Sequence, residues 1–317
     1  MNLTLLGPEL VLVVAGLGLL LIDLAVPPAR RHLLGYAAAA LVAVLFLFCA
    51  TALSPSGPPL RAFGGMFVLD GLSAFFKALF LLAGVVVLLL AADFSERLGA
   101  GISEYYVLVL FALAGMCLAA SANDFTVMYV ALELITVTFY VLTSFQRSRA
   151  ASLEAGVKYL ILGALSSAFM VYGIALAFGA SGTMAFDDLA TRSAELADNR
   201  LFQLGMLLVL AGLAFKVAIF PFHVWAPDVY EGSPTPTAAL LAVGSKAAGV
   251  VHLVRLLGSV IPDLALRWEG LLMTVAGISI LYGSLCAIPQ RGLKRLMGYS
   301  SIANGGFVLV GVASLSK

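Results

Sequence analysis

Residues 215–249 read FKVAIFPFHVWAPDVYEGSPTPTAALLAVGSKAAG, and this stretch decides the fold. It is too apolar for a free loop, yet its prolines exclude one continuous helix, because proline removes a helix hydrogen bond and clashes with the preceding turn. Irregular backbone at membrane depth is tolerated only where it is buried in protein or lines a cavity. Transporters place such broken helices at their ion sites. We therefore predict a broken transmembrane helix at Pro221, with an ordinary proline kink as the alternative.

The composition of the whole chain indicates a membrane protein. Of its 317 residues, 62% are hydrophobic and 11% are charged, whereas soluble proteins contain about 25% charged residues. A chain this poor in polar groups cannot cover itself for water. Lipid is the alternative solvent, and it requires about 20 apolar residues per helical span. The net charge of +1 gives no electrostatic basis for binding nucleic acid.

Hydropathy predicts an all-α fold, a polytopic bundle of about ten transmembrane helices. The predicted spans are Pro8–Val26, Leu33–Leu53, Leu72–Ala92, Tyr105–Ala120, Phe125–Phe145, Val157–Phe178, Leu201–Phe220, Thr235–Gly258, Leu271–Ile288 and Leu296–Ala313. Glycine and proline cluster between spans, as at Pro55–Pro59 and Gly179–Gly182. We therefore expect a single integral membrane domain over residues 1–317.

The distribution of basic residues predicts the orientation. Connections after odd-numbered spans, including the start of span 6, carry nine lysines and arginines, and connections after even-numbered spans carry four. Basic residues are enriched on the cytoplasmic side, so the N-terminus is expected outside. The loop after span 7 departs from this bias, because it contains Asp228 and Glu231 and no basic residue.

Three ionisable residues lie near the midplane of predicted spans, where a charge costs roughly 2.5–3.5 kcal/mol. Glu133 is at the middle of span 5, Lys246 at the middle of span 8, and Lys216 just before the break at Pro221. Burial and a movable carboxylate together can switch the protonation of a lysine. We interpret the three residues as an ion-paired proton relay. The alternative is a static buried pair that fixes helix packing.

Further candidates are Asp70, Lys77, Arg255 and Asn304 in accessory roles and His252 in the proton pathway itself. Lys77 lies near the start of span 3, seven residues after Asp70, and either joins a pathway or snorkels and pairs with Asp70. Arg255 lies one turn from the end of span 8. His252, between Lys246 and Arg255, either extends the relay or packs as a hydrogen-bonded histidine.

The sequence contains no features of an independent enzyme. We find no nucleophile–base constellation, no phosphate-binding glycine loop and no Cys/His cluster. Cys49, Cys117 and Cys286 lie far apart in apolar runs, as core-filling cysteines do. No catalytic residue, cofactor site or metal site is expected in this chain.

Five stretches of the chain carry a resemblance to a known family. They are FKVAIFPFHVWAPDVYEGSPTP at 215–236, GPELVLVVAGLGLLLIDL at 7–24, FVLDGLSAFFKALFLLAG at 67–84, EAGVKYLILGALSSAFMVYG at 154–173 and LKRLMGYSSIANGGFVLVG at 293–311. Together they resemble the antiporter-like subunits of respiratory complex I over essentially the whole chain. The segment PDVYEGSP resembles the N-type subunits of bacterial NADH–quinone oxidoreductase more than the sister types L and M.

The resemblance implies a proton channel built from two inverted helix repeats. It implies N-terminal helices at 1–98, a complete first repeat at 105–258 and a partial second repeat at 270–317. Electron transfer is expected in partner subunits, which would hold NAD, FMN, iron–sulfur clusters and quinone. The expected partners of this chain are the other membrane-arm subunits, the lipid bilayer, protons and internal water, in a bacterial inner membrane.

Individual residues match the family pattern by position. Glu133, Lys216 and Lys246 look like the family's span-5 glutamate, broken-helix lysine and central span-8 lysine, and Lys158 resembles another lysine common in the family. Asn304 stands where relatives often carry histidine. Relatives also have a second broken helix with a further lysine, beyond the point where this chain ends.

These matches favour a proton-translocating subunit of complex I, acting as part of the NADH–quinone oxidoreductase enzyme. The alternatives are a subunit of a cation/proton antiporter or membrane-bound hydrogenase, and, because the second repeat is partial, a membrane scaffold that does not pump.

Overall fold

A computed structural model describes residues 3–52, 58–98 and 101–314 of the chain. Leu53, the cluster from Pro55 and the chain-terminal Lys317 lie largely or wholly outside these residues. Ten of the described helices are long and apolar enough to cross a membrane, which confirms the predicted polytopic bundle. The protein is thus a membrane protein with multiple transmembrane helices.

The described secondary structure is almost entirely helical. The α-helices are α1 (Gly7–Asp23), α2 (His32–Ala52), α3 (Gly71–Asp93), α4 (Ser95–Leu98), α5 (Ile102–Ala120), α6 (Phe125–Thr143), α7 (Ala150–Ser181), α8 (Phe186–Thr191), α9 (Ser193–Leu196), α10 (Arg200–Val217), α11 (Trp225–Gly232), α12 (Thr235–Leu240), α13 (Lys246–Arg255), α14 (Pro262–Arg267), α15 (Glu269–Ala287) and α16 (Leu293–Ala313). Short 3₁₀ turns occupy Leu3–Leu6, Pro28–Arg30 and Phe63–Gly65, and π-helical turns occupy Leu241–Ser245 and Leu256–Val260.

Two features differ from the sequence-based expectation. A small hairpin precedes α3, in which β1 (Leu60–Ala62) pairs antiparallel with β2 (Phe67–Leu69). Its turn uses Gly64 and Gly65 with positive φ, a conformation that glycine adopts without a Cβ clash. Helix α7 begins at Ala150, about two turns before the predicted start of span 6. Lys158 therefore lies inside a helix and not at its entrance.

The chain forms two compact units. The first comprises Met1–Ala122, Val130–Val157 and Gly232–Ser245. Within it, α1, α2, α3 and α5 pack against one another, and α12 packs against α3. Tyr105 on α5 and Thr237 on α12 join hydroxyl to hydroxyl at 2.7 Å, and Thr237 also donates to the carbonyl of Leu142.

The second unit comprises Asn123–Tyr129, Lys158–Glu231 and Lys246–Lys317. Helices α15 and α16 form a close pair, α10 packs on α13, and α13 also contacts α16. Helices α7 and α10 approach closely at two glycines. A Cβ built on Gly173 would lie 2.5 Å from the Gly205 carbonyl oxygen, and one built on Gly205 would lie 2.7 Å from that of Gly173.

Large apolar side chains cover the outer faces of several helices. Val14, Leu21 and Leu281 are each more than 60% exposed. Apolar surface of this extent marks contact with lipid or with another protein. Several ionisable side chains are buried in contrast, among them Lys77, Lys216 and His252.

Candidate functional site

The helix around residue 220 is broken as predicted. Helix α10 ends at Val217, Ala218 adopts the left-handed conformation with φ of 60°, and α11 begins at Trp225. Pro221 lies in the seven-residue gap between the two helices, where it can leave its own nitrogen without a hydrogen bond.

Side chains replace the backbone hydrogen bonds that the break removes. The Trp225 indole N–H donates to the carbonyl of Phe215 at 2.9 Å. The N–H of Phe220 donates to Ser279 Oγ on α15 at 3.0 Å, and Ser279 in turn donates to the Val275 carbonyl. Buried backbone groups require such partners. Side chains of α11 and α15 therefore stabilise the break within the second unit.

Lys216 lies in the last turn of α10, directly before the break, and is 1% exposed. Helix α13 packs against this point at Gly249, where a built Cβ would lie 3.1 Å from the Lys216 Cβ. Because residues three apart share a helix face, Gly249 lies on the same side of α13 as Lys246. The helix face that carries Lys246 thus packs against the turn that carries Lys216.

Lys246 is the first residue of α13, and its ammonium group points toward α16. Its Nζ donates to Ser301 Oγ at 2.7 Å and to the Ser301 carbonyl at 3.1 Å. The ring of Tyr230 faces the same Nζ, with its centroid 5.7 Å away. Asn304, the α16 residue that the sequence singled out, is exposed. The α16 residue that contacts Lys246 is therefore Ser301.

Lys158 belongs to a half-exposed network of four charges in the second unit. Its Nζ lies 2.6 Å from Asp228 Oδ2 on α11, and Arg295 of α16 lies 3.1 Å from the other Asp228 oxygen. Arg295 also pairs with Glu231 at 2.8 Å. Asp228 and Glu231 are the acidic residues that departed from the charge bias of the loops. They are neutralised by Lys158 of α7 and Arg295 of α16.

His252 and Arg255 are both buried on α13, 0% and 7% exposed. Among the described residues, neither ring nitrogen of His252 has a hydrogen-bond partner. The contacts of His252 therefore do not support the alternative of a hydrogen-bonded packing histidine.

Glu133 belongs to the first unit, where it is half-buried on α6.

The first unit holds a separate buried charge pair. Lys77 Nζ lies 2.8 Å from Glu9 Oε1, and the two side chains are 0% and 8% exposed. The Lys77 ammonium also lies 4.7 Å from the centre of the Phe67 ring. Asp70, the expected partner of Lys77, instead caps α3, accepting from the N–H of Ser73 at 2.8 Å. The predicted Asp70–Lys77 pair is therefore replaced by Glu9–Lys77.

The described residues contain no group of three or more His, Cys, Asp and Glu side chains arranged to hold a metal ion. What they provide is two buried lysines, Lys216 directly before the helix break and Lys246 bonded to Ser301. Such an arrangement can hold a proton on an amine and release it when the acceptors move.

Comparison of the chain with known proteins identifies its family. Residues 122–316 match the sequence profile of a family described as NADH:quinone oxidoreductase/Mrp antiporter, transmembrane region. This match covers more than half of the chain. The chain belongs to this family.

Members of the NADH:quinone oxidoreductase/Mrp antiporter family resemble the chain along nearly all of its length. NADH-quinone oxidoreductase subunit N of Moorella thermoacetica is 41% identical over 315 residues, covering 99% of this chain and 65% of that protein. The corresponding protein of Erythrobacter litoralis is also 41% identical, with 99% and 64% covered. The chain thus spans slightly less than two thirds of the length of these relatives.

Solved structures of the family share the fold. A chain of respiratory complex I from Thermus thermophilus superposes with a TM-score of 0.76 at 34% identity, covering 96% of this chain and 64% of that one. A chain of the Mrp complex from Dietzia superposes with a TM-score of 0.79 at 22% identity, covering 99% of this chain and 59% of that one. The second likeness is evidence for the fold alone.

Sequence reasoning did not identify Glu9 and Ser301, and it noted Asp228 only as an exception to the charge bias. Glu9 lies in the first turn of α1, where an acidic residue is ordinary because it complements the helix dipole. Serine is common inside membrane helices, so Ser301 carries no distinguishing signal. Only its 2.7 Å contact with Lys246 marks it.

Proposed function

We propose that this chain is a proton-translocating subunit in the membrane arm of an NADH–quinone oxidoreductase, located in a bacterial inner membrane with its N-terminus outside. The observation that carries the proposal is Lys216, which is 1% exposed in the turn that precedes the broken helix. Burying an ammonium group at membrane depth is costly, and buried ionisable residues of this kind mark ion and proton pathways. Family membership supports the same reading.

The residues would act by charge switching. Lys216 and Lys246 hold protons on buried amines, so a small displacement of a neighbouring acceptor changes whether the proton stays. We also assign Glu133, half-buried on α6, to the proton pathway. Lys158, paired with Asp228, and His252 extend the pathway in the second unit, with Arg255 and Asn304 as accessory positions on α13 and α16. In this scheme Asp70 has a structural role, because it caps α3. Lys77 also has a structural role, because it pairs with Glu9.

The remaining parts of the enzyme are assigned to other chains. We assign NAD, FMN, iron–sulfur clusters and quinone to partner subunits, whose redox chemistry would drive the switching. Within this chain, residues 1–98 would form the N-terminal helices, 105–258 a first antiporter-like repeat and 270–317 part of a second. The partners are other membrane-arm subunits, the bilayer and internal water.

Replacement of Lys246 by alanine tests the proposal. In the complete complex reconstituted into vesicles with an internal pH-sensitive dye, Lys246→Ala should transport fewer protons per NADH oxidised. The helices should still insert, because the substitution removes a charge from an apolar span. An unchanged proton yield in a correctly assembled variant would remove the support for the pathway.

A second candidate is a subunit of a cation/proton antiporter or a membrane-bound hydrogenase. The description of the matched family supports this second candidate, because the description names both the oxidoreductase and the Mrp antiporter. Copurification of the chain with NADH-oxidising subunits supports the first candidate. Sodium-dependent proton exchange in vesicles without NADH supports the second.

A further inference from the structure

Lys246 contacts α16 through both polar groups of a single residue. Its Nζ donates to the Ser301 hydroxyl at 2.7 Å and to the Ser301 carbonyl at 3.1 Å. The same hydroxyl donates its own hydrogen to the Gly298 carbonyl at 2.7 Å, one turn earlier on α16. In this arrangement the Ser301 oxygen is an acceptor for the ammonium, and its hydrogen is directed away from it.

The two Ser301 groups respond differently when Lys246 loses its proton. A carbonyl oxygen only accepts hydrogen bonds, so it can accept an N–H from either form but cannot donate to the lone pair of the neutral amine. A hydroxyl accepts and donates, and its hydrogen rotates to suit its neighbour. If Lys246 becomes a neutral amine, the Ser301 hydroxyl can turn from Gly298 and donate to the nitrogen lone pair. Ser301 can therefore serve both protonation states without movement of the helices.

Ser301 supplies the switching group for Lys246, because its hydroxyl both accepts and donates hydrogen bonds. The Tyr230 ring face, with its centroid 5.7 Å from Nζ, favours the charged form of Lys246. Asn304, one turn further along α16, is exposed. Lys246 itself is 7% exposed, so solvent at the surface of the chain is a poor substitute for this hydroxyl.

We propose that Ser301 is a positioning residue for Lys246, whose hydroxyl holds the ammonium form as an acceptor and the neutral form as a donor. This inference rests on the proposed function, because it assigns the residue that lets Lys246 exchange its proton. The structural alternative is that Ser301 only fastens α13 to α16. In that case its carbonyl contact, which any residue supplies, should suffice.

Three substitutions separate these possibilities in the complete complex reconstituted into vesicles. Ser301→Ala removes the hydroxyl and keeps the carbonyl. Ser301→Thr keeps a hydroxyl on the same carbon. Ser300→Ala is the matched control, because it removes a hydroxyl from the neighbouring residue, which makes none of the contacts with Lys246 described above. Protons transported per NADH oxidised are measured for each, together with Lys246→Ala and with the amount of assembled complex.

The expected result is a loss of proton transport in Ser301→Ala that approaches the loss in Lys246→Ala. Ser301→Thr and Ser300→Ala should transport nearly as the parent does. If Lys246→Ala loses transport while assembled Ser301→Ala retains it, the role of Ser301 is overturned and the proposed function stands. If assembled Lys246→Ala itself retains transport, the proposed function fails first. A loss in Ser301→Ala that threonine does not restore would also overturn the switching role.

Discussion

Glu9 and Lys77 show how the first unit accommodates a buried charge. The two groups lie 2.8 Å apart, almost fully buried, and connect α1 to α3. Taking two charges out of water is costly, and their attraction offsets that cost only while both are present. The pair therefore stabilises the fold only while both charges are present. Loss of one residue should lower the free energy of unfolding more than loss of both.

A double-mutant cycle tests this conditional stability. Glu9→Gln or Lys77→Met alone should destabilise the first unit by about 3–5 kcal/mol, because each leaves an uncompensated buried charge. The combined variant should lose clearly less than the sum. Thermal unfolding of the purified complex gives the measurement.

The exposed pair Arg192–Glu195 provides the control for that cycle. Its side chains are 40% and 68% exposed, with an N–O distance of 3.1 Å. The Arg192 guanidinium, which donates to the carboxylate, lowers the pKa of Glu195. Water screens such pairs, so Glu195→Gln, which removes the contacts with Arg192 only, should leave the melting temperature unchanged. Additive losses in the Glu9 and Lys77 variants would contradict the conditional role.

Asp228 connects Lys158 to Arg295 and gives a second residue-scale prediction. Asp228→Asn removes the charge that both basic groups share at 2.6 and 3.1 Å. We expect slower proton transport in vesicles, because Lys158 loses the carboxylate that holds its charged form. The control is Glu231→Gln, which leaves the Lys158–Asp228 pair intact and removes only a contact of Arg295. Equal effects of the two substitutions would contradict a specific role for Asp228.

The residues could be predicted from the sequence where the signal was local. Lys216 and Lys246 were visible because a single charge interrupts an apolar run. Their contacts were not visible, because they come from distant parts of the chain: Ser301 is 55 residues from Lys246, and Asp228 is 70 residues from Lys158. Asp70 was expected as the partner of Lys77 because it is near in sequence, whereas Glu9 was not identified from the sequence.

At the scale of elements, Gly173 and Gly205 allow α7 and α10 to meet. The backbones approach so closely that a Cβ on either glycine would lie within 2.7 Å of the other residue's carbonyl oxygen. Small residues permit this approach between membrane helices. The contact fixes α10, and hence the end of α10 that carries Lys216.

Substitution of Gly173 tests this packing. Gly173→Ala should force α7 and α10 apart, lower the melting temperature and reduce the yield of assembled complex, because backbone and not a flexible side chain blocks the new methyl group. Gly179→Ala is the control on the same helix, since a Cβ there meets nothing within 4 Å. Similar stability of the two variants would contradict the close contact.

The helices themselves were largely predictable, since hydropathy locates each of the ten spans found in the described residues. The break at Pro221 was predictable from proline chemistry. The start of α7 was not, because residues 150–156 include polar side chains that hydropathy excludes but that a helix tolerates. The hairpin of β1 and β2 was missed because three-residue strands leave no periodicity to detect.

At the scale of the whole molecule, the chain combines a lipid-compatible exterior with charges held inside two units. The exterior follows from composition and could be predicted with no structure. The orientation of the N-terminus still rests on the bias of basic residues. Lys158, counted there as a cytoplasmic anchor, pairs with Asp228 inside the second unit. Without Lys158 the bias falls from nine against four to eight against four, which keeps its direction.

The most direct test of proton transfer through buried lysines compares two replacements of Lys216. Lys216→Met removes the charge, and Lys216→Arg keeps a charge that does not leave at any physiological pH. Protons transported per NADH oxidised are measured in the reconstituted complex. If Lys216 must release its proton, both variants should lose transport although arginine preserves the charge. Full transport by an assembled Lys216→Arg variant would contradict the account, because a permanently charged side chain would then suffice.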